Sequence, residues 1–146
     1  MRNSLFVVVI MVGFCGPFGS CSDRSPEIIL VFPNNFRGTA KIRMKQPGGL
    51  SYDRTKNNIT FEFPESGVLD IQGDAPTLDW HHVTARYQNG KLIPVVQPDR
   101  VISADEIALR PAGLLGNKED WYVVGTYDDL KHAMEEKRGF KFPPEP

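Results

Sequence analysis

The chain has little cysteine, no marked excess of either charge, no internal repeat and no hydrophobic run of membrane-spanning length. Its two cysteines, Cys15 and Cys21, both lie near the amino terminus, so the rest of the chain can form no disulfide. The apolar run at residues 5–11 (LFVVVIM) is well short of the ~20 residues of a transmembrane helix. With 17 basic and 18 acidic residues, the chain lacks the electrostatic signature of a nucleic-acid-binding protein.

Sequence motifs of common catalytic sites are also missing. There is no G-x-S-x-G, and residues 113–118 (GLLGNK) lack the spacing of a phosphate-binding loop. Asp70, Asp74 and Asp79 do not follow the order of a calcium-binding loop, and they fit turn and capping positions instead. Because no nucleophile, base and orienting group occur together in a recognisable pattern, we predict a non-enzymatic protein without a cofactor.

His81 and His82, with Asp79 nearby, are the most metal-like cluster of the sequence. Neighbouring residues of a strand point to opposite faces, so the two imidazoles should diverge. The third histidine, His132, falls in a predicted helix far along the chain. A transition-metal site needs three or four converging donors, and we therefore predict no metal site.

Residues 1–20 have the layout of a secretory signal peptide. Arg2 supplies a basic head, and an apolar core of about ten residues follows it. Small residues come next, and Phe18-Gly19-Ser20 stands immediately before Cys21. This pattern predicts export of the chain.

The segment around Cys21 resembles the modification site of bacterial lipoproteins. In those proteins an apolar residue and two small residues precede a cysteine whose thiol receives a diacylglycerol, and a peptidase cleaves just before it. The resemblance implies that Cys15 is removed with the signal and that Cys21 anchors the mature chain to a membrane of the cell envelope. The five residues 22–26 would link lipid and domain over ~17 Å at most. The alternative is a secreted protein cleaved near Ser22.

From Glu27 onward the hydrophobic pattern mostly has period two, which is typical of β-strands. Residues 28–32 (IILVF) form a continuous apolar run, as in a strand buried on both faces. Residues 40–45 and 59–63 alternate apolar and polar side chains, and so does the short segment 69–71. Residues 64–67 (PESG) predict a tight turn between the last two.

Asn89-Gly90 is the residue pair preferred in a two-residue type I′ hairpin turn. This turn would pair Gln88 with Lys91 and place three further pairs on one apolar face: Tyr87 with Leu92, Ala85 with Pro94, and Val83 with Val96. The opposite face would carry mainly polar side chains, including His82 and Arg86. We predict antiparallel strands at 83–88 and 91–96, with the nitrogen of Pro94 pointing away from the partner strand.

The carboxyl-terminal part of the chain predicts a last strand at 121–124 and then a helix. Thr126 is a good N-cap, acidic residues occupy the first turn, and Gly139 follows Lys137 and Arg138 at the end. One face of this helix is expected to dock on the sheet through three side chains: Tyr127, Leu130 and Met134.

These elements predict a mostly β protein: a single antiparallel β-sandwich-like domain with one short C-terminal helix. The domain would cover residues 27–138, after the lipidated cysteine and linker at 21–26, and a tail would follow at 139–146. Residues 98–118 are undefined, because Pro111, Gly113 and Gly116 interrupt any periodic pattern there.

Three segments together resemble an uncharacterised family of small bacterial envelope lipoproteins. The shared features are an apolar strand ending in proline before a G-x-Φ-x-Φ strand, a Φ-x-Φ-P-x-x-G-Φ-Φ turn, and an aromatic strand closing in V-G-T before a short helix. The matching positions in this sequence are Pro33, Gly38, Pro64, Gly67, Gly125 and Thr126. The resemblance implies a β-sandwich-like domain and no catalytic residue.

Two functional hypotheses remain. The first is a lipid-anchored, non-enzymatic binding or structural module of the cell envelope, with Trp80, His82 and Arg86 as weak binding candidates. Its partners would be the membrane, through Cys21, and a protein or glycan, but no nucleic acid. The second is a small-ligand binding domain for glycans, in which Trp80, Tyr52 or Trp121 would serve as stacking platforms. Solvent exposure of these rings discriminates between the two hypotheses.

Overall fold

The structure is a computed structural model that describes residues 27–78, 81–98, 100–116 and 118–138. The expected signal, the lipidation site at Cys21, the linker, Trp80 and the tail at 139–146 lie outside the described residues. The chain is mostly β, with one α-helix at its carboxyl-terminal end.

Eight strands, one short 3₁₀ helix and one α-helix follow each other along the described chain. They are β1 (Glu27–Phe32), β2 (Gly38–Arg43), β3 (Asn58–Glu62), β4 (Val68–Asp70), the 3₁₀ helix (Pro76–Leu78), β5 (His82–Tyr87), β6 (Leu92–Ile93), β7 (Ala108–Leu115), β8 (Glu119–Gly125) and α1 (Tyr127–Arg138).

Two four-stranded sheets contain all the strands. Sheet A has the order β3-β1-β5-β6, and sheet B has the order β4-β2-β8-β7. The first five strands alternate between the sheets, so that β1, β3 and β5 belong to sheet A while β2 and β4 belong to sheet B. The chain therefore crosses repeatedly between the two sheets and ties them together.

The expectation of antiparallel sheets is wrong, because both sheets are mixed. In sheet A, β1 pairs in parallel with β3 on one side and with β5 on the other. In sheet B, β2 is parallel to β4 and antiparallel to β8. The physical reason is the alternation between sheets: parallel neighbours need a crossover connection, and each crossover here runs through a strand of the other sheet.

The predicted strand at residues 28–32 is confirmed as β1, the strand of sheet A with parallel neighbours on both sides, but the outward-facing Ile29 is only half-buried, so β1 is not fully buried on both faces. Ile28, Leu30 and Phe32 have no exposed surface, and they belong to a buried hydrophobic cluster that contains residues of both sheets. From β2 the same cluster receives Ala40 and Ile42, whose alternation with half-buried Lys41 and Arg43 matches the sequence pattern. One hydrophobic core thus unites the two sheets.

The predicted hairpin forms with a different turn and a different register. Ala85 lies opposite Ile93 and Arg86 opposite Leu92, which is one residue away from the expected pairing. The amide of Tyr87 donates to the Lys91 carbonyl at 2.9 Å, and the Gly90 amide donates to the Tyr87 carbonyl at 2.9 Å. The loop therefore has three residues, with Gly90 at a φ of 87°, as in a type I turn followed by a bulge.

Contacts with the end of β1 and with the loop after it accompany this turn. The amide of Asn89 donates to Oδ1 of Asn34 at 2.9 Å, and the amide of Gln88 donates to the Phe32 carbonyl at 2.9 Å. A type I′ turn would need a positive φ at Asn89, and that residue is not among those with positive φ. Tertiary hydrogen bonds have thus outweighed the local preference of the Asn-Gly pair.

The shifted register reverses the inner and outer faces of the second hairpin strand. Ile93 and Val95 are buried, whereas Leu92 is 74% exposed. The chain leaves β5 after Ile93, and the Pro94 carbonyl accepts a hydrogen bond from the amide of Leu109 in sheet B at 2.7 Å. The expected antiparallel partner segment at 91–96 is therefore only two residues long.

Residues 108–115, which the sequence left undefined, form β7 at one side of sheet B. A β-bulge between Pro111 and Gly113 interrupts its pairing with β8. A proline and a bulge are tolerated here because β7 has a strand partner on only one side along most of its length.

The predicted helix is confirmed, and α1 packs against β7 and β8 on the side of sheet B that faces away from the core. Leu130 and Met134 contact a second, smaller buried cluster that contains Trp121, as expected of a docking face. The same prediction was wrong for Tyr127, which is 45% exposed with the Lys131 ammonium 5.2 Å from its ring centroid.

The predicted turn at residues 64–67 is confirmed by a hydrogen bond of 2.9 Å from the Gly67 amide to the Pro64 carbonyl. Gly67 has a φ of 69°. A Cβ atom at this position would lie 2.6 Å from the Thr39 carbonyl oxygen and 2.8 Å from the Phe36 ring. Both the backbone conformation and the close packing therefore require glycine.

Replacement of Gly67 by alanine should lower the free energy of unfolding by about 1–3 kcal/mol, because the Cβ atom adds left-handed strain and a steric clash. Urea denaturation monitored by circular dichroism measures this change. Gly73→Ala is the matched control, since a Cβ atom there meets nothing within 4 Å. Equal stability of the two variants would contradict the assignment.

Candidate functional site

The outer surface of sheet A, which we call the open face, presents side chains from three neighbouring strands in rows. Parallel register places residues of β3, β1 and β5 side by side in three rows: Asn58, Glu27 and His82; Thr60, Ile29 and Thr84; Glu62, Val31 and Arg86. The β3 and β5 members of all three rows are exposed. In contrast, α1 covers part of the outer surface of sheet B.

On the open face, the middle strand β1 contributes the half-buried Ile29 and the buried Val31, whereas β3 and β5 contribute exposed polar side chains. Val31 is 6% exposed and lies between the neighbouring positions of Glu62 and Arg86. The hydroxyl of Thr84 donates to Oε1 of Glu27 at 3.1 Å. Leu92, opposite Arg86 on β6, adds an exposed apolar side chain. The open face therefore combines exposed polar and charged side chains with a small apolar strip and the exposed Leu92.

Two of the three predicted binding candidates belong to this surface. His82 and Arg86 are both exposed and lie four residues apart on β5, so they share the open face. Trp80 lies outside the described residues, so its place relative to them is not described.

A groove of about 440 Å³ lies beside His82, at one side of the open face. It is formed mainly by apolar residues: Val83, Val95, Val96, Pro98 and Pro111, together with Gln97, His81 and His82. The two histidines thus contribute to one groove, although strand alternation was expected to separate them. The alternation rule applies only from His82 onward, because β5 begins at that residue.

The residues described by the structure contain no group of three or more His, Cys, Asp or Glu side chains that could hold a metal ion. His132 lies on α1, which packs on sheet B, whereas His82 lies on sheet A. That the protein binds no metal stays a prediction.

The aromatic side chains considered as glycan platforms have other contacts. Trp121 is 4% exposed, its indole Nε1 donates to Oε2 of Glu119 at 2.7 Å, and the Lys41 ammonium lies 3.7 Å from a ring centroid. The Tyr52 ring packs edge-on against Phe61, with centroids 5.3 Å apart. Trp121 is therefore part of the packing between sheet B and α1, and Tyr52 is the one of these two described rings that borders an open cavity.

That cavity is a second groove, of about 590 Å³, between β3 and residues 50–56. Its lining mixes apolar and polar residues: Leu50, Ser51, Tyr52, Asp53, Lys56, Asn58, Ile59 and Thr60. The hydroxyl of Tyr52 donates to the Asp74 carbonyl, which holds the ring at the wall of the groove.

Sequence reasoning did not find two buried polar groups. Asp120 and Tyr122 are 5% and 3% exposed, and the Tyr122 hydroxyl donates to Oδ2 of Asp120 at 2.7 Å. Burial, followed by the charge of Asp120, raises the pKa of Tyr122 well above its usual value. Their i, i+2 spacing on a strand was the available signal, because it places both side chains on one face.

Arg110 is the second such group, with 5% of its surface exposed. Its Nε donates to the Gly125 carbonyl at 3.1 Å, and its Nη2 donates to the carbonyls of Ser103 and Glu106 at 2.9 and 3.0 Å. The guanidinium thus ties the loop before β7 to the end of β8. We interpret both buried groups as structural, since neither belongs to a described groove.

No protein-family model, no curated protein and no solved structure matches the chain. Among the residues that the structure covers, no helix is both long and apolar enough to cross a bilayer.

The buried Tyr122 hydroxyl should make stability depend on alkaline pH. Because its pKa is raised in the folded state, its contribution is fully present below the usual tyrosine pKa of about 10 and is lost as the pH rises above that value. We expect the free energy of unfolding to fall more steeply in the wild type than in Tyr122→Phe, by up to about 1.4 kcal/mol per pH unit.

Urea denaturation at a series of pH values between 8 and about 11 measures this difference. Tyr127→Phe is the control, since the Tyr127 ring is 45% exposed, and it should keep the wild-type pH dependence. Identical alkaline slopes for the wild type and Tyr122→Phe would show that the hydroxyl is not held protonated by the fold.

Proposed function

We propose that this protein is a lipid-anchored, non-enzymatic binding or structural module of the bacterial cell envelope. The observation that carries the proposal is the open face of sheet A. The β3 and β5 residues of this face and Leu92 of β6 are exposed, while the other sheet carries α1 on its outer side. A rigid sheet with one uncovered face offers a partner a preformed surface, which lowers the entropic cost of binding.

The anchor is proposed from the sequence around Cys21. Residues 1–20 have the features of a signal peptide, and Phe18-Gly19-Ser20 precedes the cysteine as in bacterial lipoproteins. The first strand begins at Glu27, so the domain would lie close to its membrane. The alternative location is outside the cell, as a secreted protein without a lipid.

The architecture and family are part of the same proposal. The single core fed by both sheets supports a β-sandwich-like packing of sheet A on sheet B. The positions that resemble the envelope lipoprotein family occupy turns and strand ends, as Gly67 does. A protein partner or a glycan would contact the open face through His82, Arg86 and the exposed residues around them.

Glycan binding is the second candidate function, and the groove beside Tyr52 favours it. Its volume of about 590 Å³ suits a small ligand. Tyrosine rings at such walls stack on sugar rings, and Asp53 and Lys56 would supply hydrogen bonds. The burial of Trp121 removes one of the platforms on which this hypothesis first rested.

Metabolic labelling with a palmitate analogue tests the anchor. The wild type and Cys15→Ser should incorporate the label, because Cys15 is removed with the signal. Cys21→Ser should not, since it lacks the acceptor thiol. Labelling that survives the loss of Cys21 would refute the anchor assignment.

Site-specific photo-crosslinking in intact cells tests the open face. A photoreactive amino acid at the exposed Thr84 should form a discrete adduct with an envelope component, because this residue lies in the central row. The same amino acid at Glu136, a 64% exposed side chain on α1, is the matched control and should not. Equal adducts at both places would contradict a specific surface.

A further inference from the structure

We propose that the end of sheet A at which β1, β3 and β5 begin faces the bilayer and contacts phospholipid headgroups, while the turns at the opposite end point away from the membrane. This inference rests on the proposed lipid anchor at Cys21. It adds an orientation, a membrane-facing surface and an outward-facing surface.

Parallel pairing places the first residues of three strands at one end of sheet A. Because β1 is parallel to both of its neighbours, all three strands start at the same end of the sheet. Glu27, Asn58 and His82 form the row at that end. The amide of Glu27 also donates to the Asn57 carbonyl at 2.8 Å, which holds the loop before β3 beside the start of β1. Glu27, the first described residue after the proposed anchor, thus lies at the end of sheet A where β1, β3 and β5 all begin.

The short linker limits which end of the domain can lie against the bilayer. Residues 22–26 reach ~17 Å at most. The strand β1 has six residues and therefore spans about 17 Å itself. An inverted domain would need a linker that runs back along the whole of β1 and then past the turns beyond it. The five residues are too few for this path, so the strand beginnings are the end that the anchor can bring to the bilayer.

The chemistry of this end suits zwitterionic headgroups. Arg54 and Lys56 lie in the loop that leads into β3, and both are exposed. Asp53 in the same loop accepts hydrogen bonds from the amide and the hydroxyl of Thr55, at 2.9 and 2.7 Å. The Lys56 ammonium can donate to a lipid phosphate, and the carboxylates of Asp53 and Glu27 offset the positive charge of this end. Contact should therefore not depend on anionic lipid.

The opposite end is formed by turns that hydrogen-bond and pack against one another. The Asn89 amide is held by Oδ1 of Asn34, and the hydroxyl of Tyr87 donates to the Phe36 carbonyl at 3.4 Å. Gly67 packs against the Phe36 ring, which joins the third turn to the other two. Exposed polar side chains, including Asn34, Gln88 and Lys91, cover this end. Such interlocked turns on a rigid sheet are a common place for partner binding.

Fluorescence quenching on vesicles tests the orientation. After maturation the chain would hold no free thiol, so Lys56→Cys, Thr60→Cys and Lys91→Cys each give one site for a bimane label. Lys91→Cys is the control site at the end of sheet A opposite the strand beginnings. The Lys91 carbonyl accepts a hydrogen bond from the amide of Tyr87, and Tyr87 is paired with Phe32, the last residue of β1. The lipidated chain is placed in phosphatidylcholine vesicles that contain a lipid with a nitroxide headgroup.

We expect quenching at Lys56→Cys to be at least about twofold stronger than at Lys91→Cys, because the sites lie roughly 17 Å or more apart along the strands. The label at Thr60→Cys, in the central row, should be intermediate. Equal or stronger quenching at Lys91→Cys overturns the proposed orientation. Equal quenching at Thr60→Cys and Lys56→Cys overturns it as well, since the domain would then lie on its open face.

Vesicle flotation separates the two proposals. A mature chain that floats with vesicles but is quenched at Lys91→Cys retains its anchor and contradicts only the orientation. A mature chain that does not float contradicts the anchor, and the orientation then fails with it.

Discussion

The parallel pairing of β1 on both sides is the constraint on which the rest of the structure depends. A strand with two parallel neighbours needs crossover connections on both sides, and the chain supplies them by passing through sheet B after β1 and again after β3. The crossovers bring Ile42 and the other inner residues of sheet B onto Leu30 and Phe32. Burial of these apolar side chains then stabilises both sheets together.

The outer surfaces of the two sheets differ because only one of them has a helix. Trp121, Val123 and Ala112 of sheet B form a second apolar cluster, which Leu130 and Met134 of α1 cover. Lys137 fixes the helix end by donating to the carbonyls of Ala112 and Gly113, at 2.9 and 2.6 Å. In the three rows of its open face, sheet A has two apolar residues, Ile29 and Val31, so this face can remain exposed without a large solvation cost. It is the surface that we propose for a partner.

The hairpin shows how tertiary hydrogen bonds outweigh a local turn preference. Asn89-Gly90 favours a two-residue turn. In the structure, however, the Phe32 carbonyl of β1 accepts a hydrogen bond from the Gln88 amide, and Oδ1 of Asn34 accepts one from the Asn89 amide. Both bonds exist only when the end of β1 and the loop after it lie beside the hairpin. The resulting shift by one residue turns Ile93 inward and Leu92 outward, because side chains alternate along a strand.

The sequence by itself determined the positions of most strands, the turn at Gly67, the capped helix and the exposure of His82 and Arg86. These features follow from period, turn residues and caps, which act over a few neighbouring residues. Only the tertiary structure decided the parallel partners of β1, the strand at residues 108–115, the hairpin register and the burial of Arg110 and Asp120. Each of these depends on a hydrogen-bond or packing partner that is distant in the chain, and the local pattern contains no information about such a partner.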